Sequence, residues 1–337
     1  MRKRRRKSSA RRVFFFFLLL PLGVLGFMAW MYLAPFGPSG ERFVEIPAHT
    51  GTMGVATALE RGGAVRSRWA FAALRELEGG TLKAGEYRFD HPASMLDVYR
   101  RVRRGDVFTV AVVIPEGFNV FEVAQAVETA RLAPRDVFLA AAKANVGLVR
   151  GWDPAARSVE GYLFPDTYRF SRHATPQMML ATMTHRFSQV ALRLGLAGAE
   201  LPRVVTMASL VEREVHLDSE RALVAGVFEN RLRLGMPLQT DPAVVYASML
   251  RGTWTGVIHQ SELRSDSPYN TYVHPGLPPG PICNPGVAAL RAALHPTPTE
   301  YLYFVANPDG SSRFARDLRE HNANVAAYRS QLAGVPR

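Results

Sequence analysis

The longest apolar run in the chain extends from Val13 to Ala34, 22 residues without a charge, and includes Phe14 to Phe17, Leu18 to Leu20 and Trp30. As a helix rising 1.5 Å per residue, such a run covers the hydrocarbon core of a bilayer. Pro21 is tolerated inside a spanning helix. The run is longer than the apolar part of a signal peptide, and no small-x-small cleavage site follows it, so the pattern predicts an uncleaved membrane anchor at 13–34.

Beyond a Pro/Gly linker at 35–41 the periodicity changes. Alternation in Phe43-Val44-Glu45-Ile46-Pro47 predicts a strand, and Met53, Ala56 and Leu59 predict a helix over 52–61 that Gly62-Gly63 ends. Helices at 67–77 and 95–103 flank a strand at 83–89. The sequence of strand, proline, short turn and helix then recurs at Val110 to Ala130. Residues 134–200 are mostly helical, broken by an aromatic and Pro/Gly-rich loop from Gly161 to Tyr168. Helices are expected at 204–215, 219–234, 287–294 and 318–332, a strand at 301–306, and a loop-rich region at 235–284. The fold class is α+β: an N-terminal transmembrane helix, a small mixed domain at 42–130, and a larger α+β domain at 131–337.

Charge sharpens this picture. The 337 residues carry a formal net charge of +12, and Lys or Arg fills eight of the first twelve positions, leaving only +4 elsewhere. A basic tail at 1–12 before an apolar run stays cytoplasmic under the positive-inside rule. The rest of the chain is then extracytoplasmic, on a single-pass anchor in the inner (cytoplasmic) membrane, and nucleic acid is not an expected partner. Cys283 is the one cysteine, which excludes an intrachain disulfide and a multi-cysteine metal site. No pair of histidines at helical spacing lies near a carboxylate, so neither a metal nor another cofactor is expected.

The candidate chemistry lies in Met207-Ala208-Ser209-Leu210-Val211-Glu212-Arg213-Glu214-Val215. Glu212 falls four residues after Ala208 on one helical face, whereas Glu214 is about 200° round from it. The plain reading of both is as surface carboxylates paired with Arg213 or Arg221. Three downstream segments argue against it: Leu238-Gln239-Thr240-Asp241-Pro242, then Ser267-Pro268-Tyr269-Asn270-Thr271-Tyr272, then the eleven residues Gly276 to Gly286 with four prolines and three glycines. The last of these is neither helix nor sheet core. With Leu277 and Ile282 in it, it reads as a rigid wall, not a linker.

These residues resemble a family, the endolytic murein transglycosylases, also called MltG or YceG-like proteins. The matching stretches are Glu160 to Tyr168, Ala208 to Glu214, Phe228-Glu229-Asn230-Arg231-Leu232, Leu238 to Pro242, Tyr269 to Tyr272, Gly276 to Gly286 and Tyr301 to Ala306. The resemblance covers nearly all of the chain after the anchor. It implies a LysM-like glycan-binding region, cleavage of the bond between N-acetylmuramic acid and N-acetylglucosamine with a 1,6-anhydro end, and termination of nascent glycan strands. Peptidoglycan strands, the inner membrane and peptidoglycan synthases are the implied partners. The family's catalytic glutamate corresponds to Glu212, with Glu214 as the alternative.

A nucleophile carried by the sugar itself removes much of the need for a second carboxylate. One glutamate then protonates the leaving oxygen and takes the 6-hydroxyl proton, provided burial against Leu210, Val211 and the Gly/Pro wall keeps it protonated near neutral pH. Gln239, Asn270 and Tyr272 are candidate substrate-binding residues, each with an equal reading as loop-closing structure. Asp241 reads as a turn or cap, His321 as structural, and Tyr162, Phe164 and Tyr168 as core. Two rival functions are an inactive glycan-binding scaffold and a water-using muramidase, which would need Glu214, Asp241 or Glu229 as a second carboxylate.

Overall fold

The structure is a computed structural model that describes residues 6–333 except His216 and Pro308, with side chains described from Leu19 to Ser330. The chain divides into two compact units, one ending at Thr109 and one beginning at Val110. The first contains α1 (Arg6–Leu33), β1 (Arg42–Ile46), α2 (Thr52–Arg61), α3 (Arg68–Glu78), β2 (Gly85–Phe89) and α4 (Met95–Arg104). The second contains β3 (Val110–Ile114), α5 (Val120–Thr129), α6 (Arg135–Ala144), β4 (Asp166–Phe170) and α7 (Pro176–Arg193). It continues with α8 (Leu201–Glu214), α9 (Arg221–Arg233), α10 (Asp241–Arg251), α11 (Gln260–Leu263), α12 (Val287–Leu294), β5 (Tyr303–Ala306), β6 (Ser312–Ala315) and α13 (Leu318–Ala333).

The expected anchor overlaps α1 over residues 13–33, where Leu19, Leu22, Leu25, Phe27 and Trp30 present exposed apolar side chains. Among the described residues, no helix is long and apolar enough to cross a membrane. The tail at 1–5 and the side chains of 13–18, the first part of the expected span, lie outside the described residues.

In the first unit β1 pairs antiparallel with β2, and α2 and α3 connect them, giving a βααβ module. Its core is Val44, Ile46, Leu59, Phe71, Tyr87, Phe89, Val98 and Tyr99. Helix ends follow local chemistry. Ser94 caps α4 by accepting from Asp97 N–H, Gly105 closes it in the left-handed region, and Arg101, Arg103 and Arg104 sit at the negative end of its dipole.

The second unit begins with the same topology: β3 pairs antiparallel with β4, with α5 and α6 between them. The registers coincide. Val44 stands opposite Tyr87 as Val112 stands opposite Tyr168, and Arg42 opposite Phe89 as Val110 opposite Phe170. Each strand tyrosine, within a Tyr-Arg-Phe triplet, donates its hydroxyl to the carbonyl four residues back, Lys83 in one module and Phe164 in the other. Ile-Pro ends the first strand of both, followed by a loop of matching length whose third residue has positive φ, 61° at His49 and 79° at Gly117.

This pairing corrects two expectations. The segment 110–130 belongs to the second unit, because its strand partner lies at 166–170, and Asp166 to Phe170 is strand where the end of an aromatic loop at Tyr168 and then helix were expected. In this module residues 115–165 lie between the paired strands, beyond the reach of local periodicity.

Around this module the larger core is organised on α8, whose residues from Val204 to Val211 are all buried, and α9, α10 and α12 pack on it. The 235–284 region contains α10, in which Asp241 and Pro242 open a helix with Thr240 at its N-cap. Pro at the start of a helix loses no hydrogen bond, so the turn signal there marked a helix start. A β5–β6 hairpin packed against α13 completes the unit, its second strand unforeseen from sequence.

Candidate active site

The Gly276 to Gly286 segment lies outside helix and strand, as its composition predicts. Ile282 N–H donates to Ser209 Oγ at 3.1 Å, which fixes it to α8. Asn284, fully buried, takes Leu163 N–H on its Oδ1 at 2.8 Å and donates through Nδ2 to the Phe118 carbonyl and to Glu160 Oε1. Gly117 N–H in turn donates to the Asn284 carbonyl at 3.0 Å. Glu160, also buried, accepts Val120 N–H at 2.9 Å, and burial pushes its carboxyl up to about 8. One buried acid and one buried amide thus join the β3–α5 loop, the 160–165 segment and the 276–286 segment.

Gly161 has φ of +86°, and a Cβ there would lie 2.4 Å from Pro281 Cγ and 2.9 Å from Val205 Cγ1. Gly161→Ala combines backbone strain with overpacking and is expected to cost about 3 kcal/mol, read from denaturant unfolding.

Glu212 lies at the end of α8 with its side chain only 4% exposed. Its Oε1 is 2.8 Å from Arg221 Nη1, and its Oε2 accepts Gly286 N–H, also at 2.8 Å. The pairing with Arg221 that would mark a surface carboxylate is present, but Arg221 too is nearly buried, and Asp218 holds its Nε at 2.8 Å. The all-apolar surroundings expected for Glu212 are absent: a guanidinium and a helix N-terminal N–H face it instead. Opposite stands Glu116, and a cavity of about 400 Å³ is lined by Glu116, Gly117, Glu212, Arg213, Asp241 and Pro242. Partial desolvation first, and then the charge of Glu212, push the carboxyl of Glu116, an exposed residue, above the usual carboxylate range.

A second cavity, about 260 Å³, is lined by Glu214, Arg231, Gln239, Asp241, Tyr272 and His321 among others. Asp241 lines both cavities, so the two adjoin. Glu214, in this largely polar cavity, has its carboxyl pushed up to about 7 by burial and then by Asp241. Gln239 and Tyr272 therefore stand with Glu214. Tyr272 donates its hydroxyl to Asp241 Oδ1 at 2.7 Å, and Gln239 holds φ of +54°, kept there by its N–H to the Thr271 carbonyl. A left-handed glutamine is a strained choice, of the kind that clusters at functional sites.

Asn270 does not join them. It is fully buried, its Nδ2 donates to the carbonyls of Glu262, Leu263 and Ser265, and its Oδ1 accepts Tyr272 N–H. No polar atom is left for a sugar, so Asn270 is corrected to a loop-closing residue that presents Tyr272. Glu229 is engaged by Arg203 at 2.6 Å and lines neither cavity. Tyr162, Phe164 and Tyr168 are core. Among the described residues, no group of His, Cys, Asp or Glu is arranged to hold a metal ion.

Sequence reasoning passed over Glu116, Glu160 and Asn284. For Glu116 a signal was available: the loop after the first strand repeats, and Pro115-Glu116-Gly117 has an acid where Pro47-Ala48-His49 has alanine.

Repeated βααβ modules, the second fused to a helical core whose central helix carries two carboxyls, each lining a cavity, define the class. The chain belongs to the YceG-like family, whose model matches residues 44–327. It is 30% identical over 305 residues to the endolytic murein transglycosylase of Bacillus subtilis, covering 85% of this chain and 84% of that protein. It is 29% identical to that of Streptococcus pneumoniae, over 90% of this chain and 62% of the pneumococcal protein, which is the longer of the two. Among solved structures, a YceG-like protein from Listeria monocytogenes superposes with a TM-score of 0.54 at 28% identity, covering 85% of this chain and 99% of that one.

Proposed function

We propose that this chain is an endolytic peptidoglycan transglycosylase that cleaves the bond between N-acetylmuramic acid and N-acetylglucosamine and leaves a 1,6-anhydro end. One observation carries the reading: the two carboxyls of the Ala208 to Glu214 motif line adjoining cavities in a chain that shares its family with named murein transglycosylases. Glu212 is the catalytic carboxyl, in the position that the family resemblance indicates. Gln239 and Tyr272 contact the sugar on the Glu214 side of Asp241, and the strand crosses both cavities.

The reaction balances within the sugar. The glycosidic C1–O bond breaks as the leaving oxygen takes a proton, the 6-oxygen bonds to C1, and its proton returns to the enzyme. The first βααβ module serves as a LysM-like glycan-binding region. Val13 to Ala34 anchors the protein in the inner membrane with the N-terminus cytoplasmic, a reading supported by the basic tail and by the exposed apolar side chains of α1. The product role is termination of nascent strands beside the peptidoglycan synthases.

Digestion in H₂¹⁸O tests the reaction type. No label is expected at the new muramyl ends. Label at those ends would favour a water-using muramidase, with Glu214 or Asp241 as the second carboxylate, and no cleavage by folded protein would favour a glycan-binding scaffold.

A further inference from the structure

The turn that carries Glu116 does not require an acid. In the first module the equivalent loop, Pro47 to Gly51, has Ala48 in that place and keeps the same left-handed third residue. In the second module the Glu116 carboxyl reaches the start of α12, an eight-residue helix, and fills the space of a missing side chain: a Cβ on Gly286 would meet Glu116 Oε1 at 1.9 Å. It accepts Val287 N–H, while Gly286 N–H goes to Glu212. Two carboxyls from different elements are thus held on consecutive N–H groups, and both line the cavity of about 400 Å³.

Two carboxyls that line one cavity repel each other when both are ionised, and the charge of Glu212 is one cause of the raised Glu116 carboxyl. The charged groups around them are Arg221 and Asp218 beside Glu212, Arg213 from α8 with its partner Glu122 from α5, and Asp241 from α10.

We propose that Glu116 is a second functional carboxyl of the site, sharing one proton with Glu212 during turnover. This rests on the transglycosylase reading. The pair gives its proton to the leaving glycosidic oxygen as C1–O breaks, and recovers one from the 6-hydroxyl as O6–C1 forms, so it ends as it began. Gly286 is glycine because any side chain there would displace the Glu116 carboxyl.

The test is the pH dependence of anhydro-end formation by the full-length protein in detergent, for wild type, Glu116→Gln and Gly286→Ala, with melting temperatures alongside. Removing one charge lowers the pH at which the other carboxyl gives up its proton, and activity that needs that proton is lost as pH rises through this value. In Glu116→Gln the alkaline limb is therefore expected to move down by about one pH unit or more, so that the loss is about tenfold at alkaline pH and small at acid pH. Gly286→Ala keeps both carboxyls and has φ of −79°, which alanine adopts readily, yet it is expected to shift the limb the same way. A Glu116→Gln profile that superimposes on wild type, or that is lowered by one factor at every pH, would overturn the proposal. Wild type that makes no anhydro ends would instead remove the transglycosylase reading, and the proposal with it.

Discussion

Glu212→Gln is expected to lower the rate of glycan cleavage by about 10²- to 10⁴-fold, the range that a positioned acid–base group contributes. Glutamine keeps an oxygen for Gly286 N–H but neither carries nor accepts the transferable proton. Arg221 loses a charged partner and retains Asp218, so a moderate fall in melting temperature is expected as well. Rates measured well below each variant's melting point separate the two effects. An active Glu212→Gln protein would move the chemistry to Glu214, the carboxyl that burial already holds at about 7.

The second large effect concerns stability. The Glu160 carboxyl is raised from an ordinary value of 4.5 to about 8 by complete burial, so the folded state holds a proton that the unfolded chain has released. Its contribution is fully present below about pH 4.5 and is lost as pH rises towards 8, because over that interval the native state binds the extra proton. The loss is on the order of 4 kcal/mol. Unfolding free energies at pH 5 and pH 8 are expected to show this fall in wild type, superimposed on smaller contributions from other groups. In Glu160→Gln that fall should be absent, while stability at pH 5 is lower than in wild type. The amide offers one acceptor where Glu160 receives Val120 N–H on one oxygen and Asn284 Nδ2 on the other. A Glu160→Gln protein with the same fall between the two pH values would contradict a neutral buried Glu160.

Much of the fold was legible because most of its helices carry an apolar stripe, and Ser67, Ser94 and Asn119 cap the starts of α3, α4 and α5. Residues 52–61 and 287–294 are helical as the pattern predicts, and the edges of α3, α4, α5 and α9 fall within two residues of expectation. The failures share a cause. Strand β4 carries Tyr168 and Phe170 inward, but its first residues follow Gly161 and Pro165, which read locally as loop. Helix α10 begins with Asp241-Pro242, which serves equally as a turn.

The site was legible in part. Glu212, Gln239 and Tyr272 were named from their motifs, and each lines a cavity. The turn of about 200° from Glu212 to Glu214 was legible, but not that Gln239 and Tyr272 fall on the Glu214 side while Glu212 meets Arg221. Asn270 was indistinguishable from a ligand-binding amide, because only the path of residues 262–265 shows where its hydrogen bonds go.

The most direct measurement is mass spectrometry of the muropeptides released from purified peptidoglycan by the full-length protein, with Glu212→Gln run beside it. The expected result is products ending in 1,6-anhydro-muramic acid from wild type and their near absence from the variant. Products carrying an added water, or anhydro ends undiminished in Glu212→Gln, would contradict the account.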